Sequence, residues 1–168
     1  MNISLENLLI ISATIVTLLL LLFAVDWRFF GDWVVVFLFK GLLDAILGSI
    51  VVEMNYLEYP VRVLPQFFDT SVLFELWVFP VLCILYNQVT RERGLWPIIY
   101  YAVLWATGIT IMEVPIERYT DLLLYKHWHG YTSLVTLTGT FLLSRAFIAF
   151  YRWGCLYFGK DEPRLRID

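Results

Sequence analysis

Charge is scarce in this chain: of 168 residues, 16% are charged and 60% are hydrophobic. An average soluble domain is about a quarter charged. A small soluble fold leaves much of its surface wet and could not hide so much apolar area. Water is therefore the wrong solvent for most of these side chains. A basic excess is missing too. The formal net charge of -3 gives no electrostatic footprint for nucleic acid, and no such partner is expected. Cysteine is nearly absent: Cys83 lies mid-span and Cys155 at a span end, too few and too far apart for a disulfide framework.

Repeats, low-complexity tracts and Gly/Ser linkers are also lacking, which argues for one domain over residues 1–168. Catalytic signatures are missing as well. There is no His-Glu-x-x-His, no Gly-rich phosphate loop and no Gly-x-Ser-x-Gly elbow. No catalytic residue and no cofactor are expected. Ser12, Ser49, Ser71, Ser133 and Ser144 lack an adjacent His, and Ser49 and Ser144 can bond back to their own helices.

What the chain has is long apolar runs. A bilayer core of about 30 Å takes roughly 20 residues at 1.5 Å each. Five segments fit, at about 7–25, 33–52, 71–89, 95–114 and 131–151. Backbone groups in lipid must be satisfied within the segment, so each span is expected to be helical. The unbroken leucines from Leu18 to Leu22 contradict the alternation of a β-barrel. The expected fold class is all-α, an integral membrane bundle of five helices. The first run resembles a signal peptide in length only. No Lys or Arg precedes it and Phe23-Ala24-Val25-Asp26-Trp27 is a poor cleavage site, so a retained span is expected.

Aromatic residues mark the boundaries. Trp27, Trp33, Trp96, Trp128 and Trp153, with Tyr86, Tyr131 and Tyr151, fall at span ends, where amphipathic rings favour headgroups. Trp77 and Trp105 lie within spans and are expected to pack between helices. Orientation follows from basic residues in short loops. Arg28, Arg91, Arg93, Arg152, Lys160, Arg164 and Arg166 fall on one side, and Arg62, Arg118 and Lys126 on the other. That asymmetry predicts the amino terminus outside and the carboxyl terminus in the cytoplasm. The end from Lys160 to Asp168 mixes both signs and reads as solvated.

Ionisable residues inside spans cost about 2.5 to 3.5 kcal/mol each on insertion scales, which makes them informative. Lys40 and Asp44 are four apart and share a face of the second span. Arg145 in the fifth span lies at a depth similar to Lys40, so Asp44 has two candidate cations. A proton or ion relay centred on Asp44 competes with a structural pair that pins helices while Lys40 and Arg145 snorkel to headgroups. Glu75 in the third span and Glu113 near the end of the fourth are the sharper members of an acidic outer face. Glu58, Asp69, Glu117 and Asp121 read as ordinary loop charge.

The longest connection runs from Asn55 to Thr70 and is rich in aromatic and aliphatic residues. It is expected to lie along the interface or fold back as a lid. Pro60 and Pro65 disfavour helix before them. Arg62 between them is expected to anchor the loop, clamping a carboxylate such as Glu53 or Glu75, or a lipid phosphate. Pro80 should kink the third span. Gly41, Ala45 and Gly48 form a small-residue stripe for close helix approach. His127 and His129, in His-Trp-His, are weak metal candidates with Glu117 or Asp121.

The run Tyr59-Pro60-Val61-Arg62-Val63-Leu64-Pro65-Gln66-Phe67-Phe68, followed by Pro80 and Tyr86-Asn87-Gln88, resembles the signature of a family of small multi-pass membrane proteins. That family occurs mainly in spore-forming Gram-positive bacteria, and the resemblance extends from about Asp26 to Tyr151. It implies a topology and a bacterial plasma membrane, and supplies no mechanism. Three functions stay open: a non-catalytic structural or accessory component working with lipid, other membrane proteins or its own copies; a small ion or solute carrier; and a lipid-acting enzyme using Glu113, His127 or His129.

Overall fold

The computed structural model of the chain describes residues 5–158. The expected solvated end, with Lys160, Arg164 and Arg166, lies outside the described residues. The fold is all-α. Helix α1 covers Leu5–Phe23, α2 Phe30–Glu53, α3 Phe79–Thr90, α4 Leu95–Tyr119 and α5 Gly130–Phe158. A 3-10 turn, Trp27–Phe29, leads into α2, and a π-helical turn, Phe74–Val78, leads into α3. Two short strands, β1 Leu57–Glu58 and β2 Leu124–Tyr125, complete the order.

Four of the helical segments are long and apolar enough to cross a membrane. The third differs from its expectation over 71–89. Its continuous run, Phe74–Thr90, is shorter and contains the π turn. Pro80 explains the turn. Proline lacks an N–H, and its ring crowds the carbonyl four residues back, on Leu76. The wider turn lets the Phe79 N–H donate to the Phe74 carbonyl instead.

The ends of α2 are set locally. At its carboxyl end Asn55 adopts a left-handed φ of 57°. The Tyr56 N–H then donates to the Val51 carbonyl at 3.1 Å, and the Asn55 N–H to the Val52 carbonyl at 2.9 Å. Those two bonds close a Schellman motif and stop the helix. At its amino end Gln88 clasps the α1–α2 connection. Its side-chain oxygen accepts from the Asp26 N–H at 2.7 Å, and its amide donates to the Ala24 carbonyl at 2.9 Å. The Arg28 guanidinium bonds the Asp26 carboxylate and holds it below the usual carboxylate range. Arg152 on α5 pairs with Asp32 on α2 at 2.7 Å.

The core lies between α2, α3, α4 and α5. Trp33, Val36, Ile84, Tyr86, Phe141 and Ile148 are buried there. Phe39 and Phe147 stack between α2 and α5 with centroids 4.0 Å apart. Two residues expected at the headgroups are therefore core residues. Trp33 is 1% exposed and donates its indole N–H to the Asp26 carbonyl, and Tyr86 donates to the Ile98 carbonyl. Each ring has a polar tip that a backbone carbonyl satisfies, so burial costs no hydrogen bond. Trp27, Trp96 and Trp153 stay exposed at helix ends. Trp77 packs between helices as expected, edge-on to Phe37 and donating to the Thr17 hydroxyl of α1.

The outward faces of all the long helices are apolar. Leu8, Ile11, Leu38, Leu42, Ile111 and Val135 are among many large side chains left exposed. Soluble monomers rarely expose contiguous apolar patches beyond a few hundred Å².

Candidate functional site

The innermost charges form a closed pair. Lys40 Nζ donates to both carboxylate oxygens of Asp44, at 2.5 and 2.6 Å. Lys40 is fully buried and Asp44 is 8% exposed. The ammonium also lies 5.5 Å from the centroid of the Phe141 ring and 5.8 Å from that of Phe79. The ion pair therefore closes within one helix, while its ammonium faces rings of α3 and α5. Lys40 does not snorkel, because its nearest anion lies one turn toward the middle of the helix.

Arg145 is not a partner of Asp44. Its guanidinium donates to the carbonyls of Thr90 at 3.3 Å and Arg91 at 2.9 Å. The last carbonyls of a helix have no partner within it, and α3 ends beside Arg145. The cross-bundle tie is thus a helix cap between α5 and α3.

Glu75 lies in the π turn and is 4% exposed. Its carboxylate presses against α2 at Gly48, where a Cβ would overlap it. The small-residue stripe of α2 thus faces this segment, with Gly41 beside Leu76 and Pro80. The Thr70 side chain lies near the carboxylate. Among the described residues no cation forms an ion pair with Glu75.

Glu113 is half-buried on α4 and accepts from the Tyr125 hydroxyl at 3.0 Å. The Ser133 hydroxyl is 3.4 Å from Tyr125 and accepts from the Trp128 indole at 2.8 Å. The hydroxyl end of Tyr59 is buried near Glu75 and Glu113. Burial first, and then those carboxylates, push its ionisation well above the usual tyrosine range. Burial raises Tyr125 in the same direction. Sequence reasoning missed both hydroxyls. Tyr59 opens the Tyr-Pro-x-Arg run, a signal that could have found it, whereas nothing local marks Tyr125.

No family model, curated protein or solved structure matches this chain. Its function must be read from these contacts.

The α2–α3 and α4–α5 connections form a cap over the polar group. Strand β1 pairs antiparallel with β2, with Leu57 opposite Tyr125 and Glu58 opposite Leu124. The Val61 N–H donates to the Asp121 carbonyl at 3.0 Å, and Lys126 pairs with Glu58 at 2.8 Å. Arg62 anchors the loop, as expected, but with different partners from Glu53 or Glu75. It donates to the carbonyls of Phe68 at 2.7 Å and Tyr59 at 2.8 Å, and to Asp69 at 2.9 Å. Local partners win because Leu64, at φ 59° before Pro65, turns the chain back on itself. Pro60 borders the short strand.

His127 and His129 are exposed, and His129 stacks on Tyr131. Among the described residues no three His, Cys, Asp or Glu gather as metal ligands. Cys83 and Cys155 are both free thiols. Beside this polar group lies a cavity of about 710 Å³, walled by α1, α3 and α4 and bounded at the capped end by Tyr59, Leu122 and Leu123.

Proposed function

We infer that this chain is a multi-pass integral membrane protein acting as a non-catalytic structural or accessory component, together with lipid and other membrane proteins or further copies of itself. One observation carries the reading: the three cations deepest in the bundle are committed to the fold. Lys40 is bound to Asp44, Arg145 to the end of α3, and Arg152 to Asp32. None is left to activate a substrate. The exposed apolar helix faces support lipid as the surrounding solvent.

Five crossings put the amino terminus outside and the carboxyl terminus in the cytoplasm. The π turn and α3 together span about 25 Å by helical rise, at the short end for a crossing. The resemblance carried by Tyr59–Phe68 supports a bacterial plasma membrane. Single cysteines introduced at Arg118 and at Arg93, in a background lacking Cys83 and Cys155, test the topology. An impermeant maleimide added to intact cells should label the first and spare the second. The reverse pattern overturns the orientation. Affinity purification in mild detergent should recover stoichiometric protein partners or homo-oligomers, and a lone monomer overturns the accessory role.

Glu75 favours a second reading, that of a small cation carrier. The interior holds two carboxylates but one ammonium, so one negative charge lacks a counter-ion from the described residues. A proton or a monovalent cation would supply it. Reconstituted liposomes should then pass that ion, and Glu75→Gln should stop the flux while the protein stays folded. Unchanged flux removes the carrier reading.

A further inference from the structure

The 710 Å³ cavity is a groove with a direction. The π turn and α3 form its floor, and α1 and α4 flank it. Helix α1 packs on the floor and makes no close packing with α4, so the groove opens sideways between them. On α4 its lining runs from Tyr101 to Glu113 and Ile116. That is about 22 Å by helical rise, more than the half of a 30 Å core that one leaflet's chains occupy.

Its lining is graded. Leu20, Leu104, Ile109 and Met112 make most of the length apolar, the Ser12 and Thr17 hydroxyls bond back to their own helix, Tyr101 lies at the inner end, and the one charged group, Glu113, lies at the outer end beside Tyr59. Gly108 lies midway, and a Cβ there would meet nothing within 4 Å. A void of this size forfeits dispersion contacts along its whole wall unless something fills it. In a bilayer the available filler is hydrocarbon.

Charge selects among amphiphiles. Glu113 accepts a hydrogen bond from the Tyr125 hydroxyl, and among the described residues no cation pairs with it. Glu117 and Asp121 lie beyond it on the same outer side, where Lys126 is already bound to Glu58 and Arg62 to Asp69. Of the described cations on that side, Arg118 alone is left to offset them. An anionic headgroup would be repelled there and an ammonium attracted.

We propose that the groove between α1, α3 and α4 binds one acyl chain of an outer-leaflet phospholipid, with its amine-bearing headgroup at Glu113. The groove supplies affinity along the chain and Glu113 supplies headgroup preference. This rests on the membrane reading above, and the test separates the two.

The full chain is reconstituted into nanodiscs of equimolar phosphatidylethanolamine and phosphatidylglycerol, then released in mild detergent for native mass spectrometry. Wild type should retain one lipid per chain, with the amine lipid enriched at least fivefold. Gly108→Phe, which fills the groove, should lower retention tenfold or more. Glu113→Gln should keep the lipid and bring the enrichment close to one. Equal retention by wild type and Gly108→Phe overturns the site, and unchanged enrichment in Glu113→Gln overturns the headgroup assignment. A photoreactive acyl chain on an amine lipid gives a readout that needs no variant. Adducts should concentrate on the peptides holding Ala13 and Gly108, and an even spread over α2 and α5 overturns the proposal. Release of the chain from vesicles by alkaline carbonate would defeat the membrane reading itself. A carbonate-resistant chain without the lipid defeats this inference alone.

Discussion

Removing one partner of the Lys40–Asp44 pair should be far more damaging than removing both. Lys40 is fully buried and Asp44 nearly so, and breaking a buried pair typically costs about 3–5 kcal/mol because a charge is left uncompensated. The two single variants should not cost the same. In Asp44→Asn the ammonium keeps an amide oxygen as acceptor and stays near the faces of Phe79 and Phe141. A desolvated cation–π contact is worth up to about 2 kcal/mol, so this variant should fall near 3 kcal/mol. In Lys40→Met the carboxylate loses its donor, and the nearby rings offer no substitute because their faces are negative. That variant should fall near 5 kcal/mol. Lys40→Met with Asp44→Leu leaves no charge and similar volume, and should lie within about 1 kcal/mol of wild type. Reversible unfolding in mixed micelles, followed by far-UV circular dichroism, gives all four corners of the cycle. Additive single effects, or singles within about 1 kcal/mol of wild type, would show a hydrated pair and refute the reasoning.

Three further outcomes are expected. Gly48→Ala should destabilise by about 1–3 kcal/mol through overlap with the Glu75 carboxylate, and a second change, Glu75→Ala, should recover part of the loss in the same unfolding assay. Arg62→Ala should free the carbonyls of Phe68 and Tyr59, seen as faster proteolysis and hydrogen exchange over 56–69; unchanged protection would show that the loop is held elsewhere. Tyr59 and Tyr125 are raised above the ordinary value of 10, so the folded state holds their protons more tightly than the unfolded one. Their contribution is fully present below pH 10 and is lost as pH rises beyond it; Tyr59→Phe with Tyr125→Phe should flatten that alkaline loss, and an unaltered slope would place the cause in other groups.

Helix number and type were legible because hydrophobic run length is a local property. The Lys40–Asp44 contact was legible for the same reason, since i and i+4 meet on any helix. Contacts between distant segments were not. Nothing local pairs Leu57 with Tyr125, or directs Gln88 to the α1–α2 connection. Arg145 stood as one of two candidate cations for Asp44 on depth alone, whereas the end of α3 offered it two carbonyls. Pro80 announced a disturbance in the third helix, but the form it took depends on neighbours. A kink and a π turn both relieve the clash, and the π turn also directs Glu75 onto Gly48.

That last contact bears on what specifies the bundle. Lys40 reaches the Phe79 ring of α3 at 5.8 Å, but the ion pair itself closes inside α2, so its hydrogen bonds cannot fix the register in which α2 meets α3. Glu75 against Gly48 can, because a shift by one residue would bring the carboxylate against the side chain of Leu47 or Ser49. Burying an uncompensated carboxylate is costly, yet this one is turned inward where a leucine would pack at no such penalty. Packing alone therefore gives no account of glutamate at this position. Register could be held by any side chain of the right length, and Gln would hold it without the charge. The charge is what a structural role leaves unexplained, and Glu75→Gln separates shape from charge at the one buried carboxylate without a cation among the described residues.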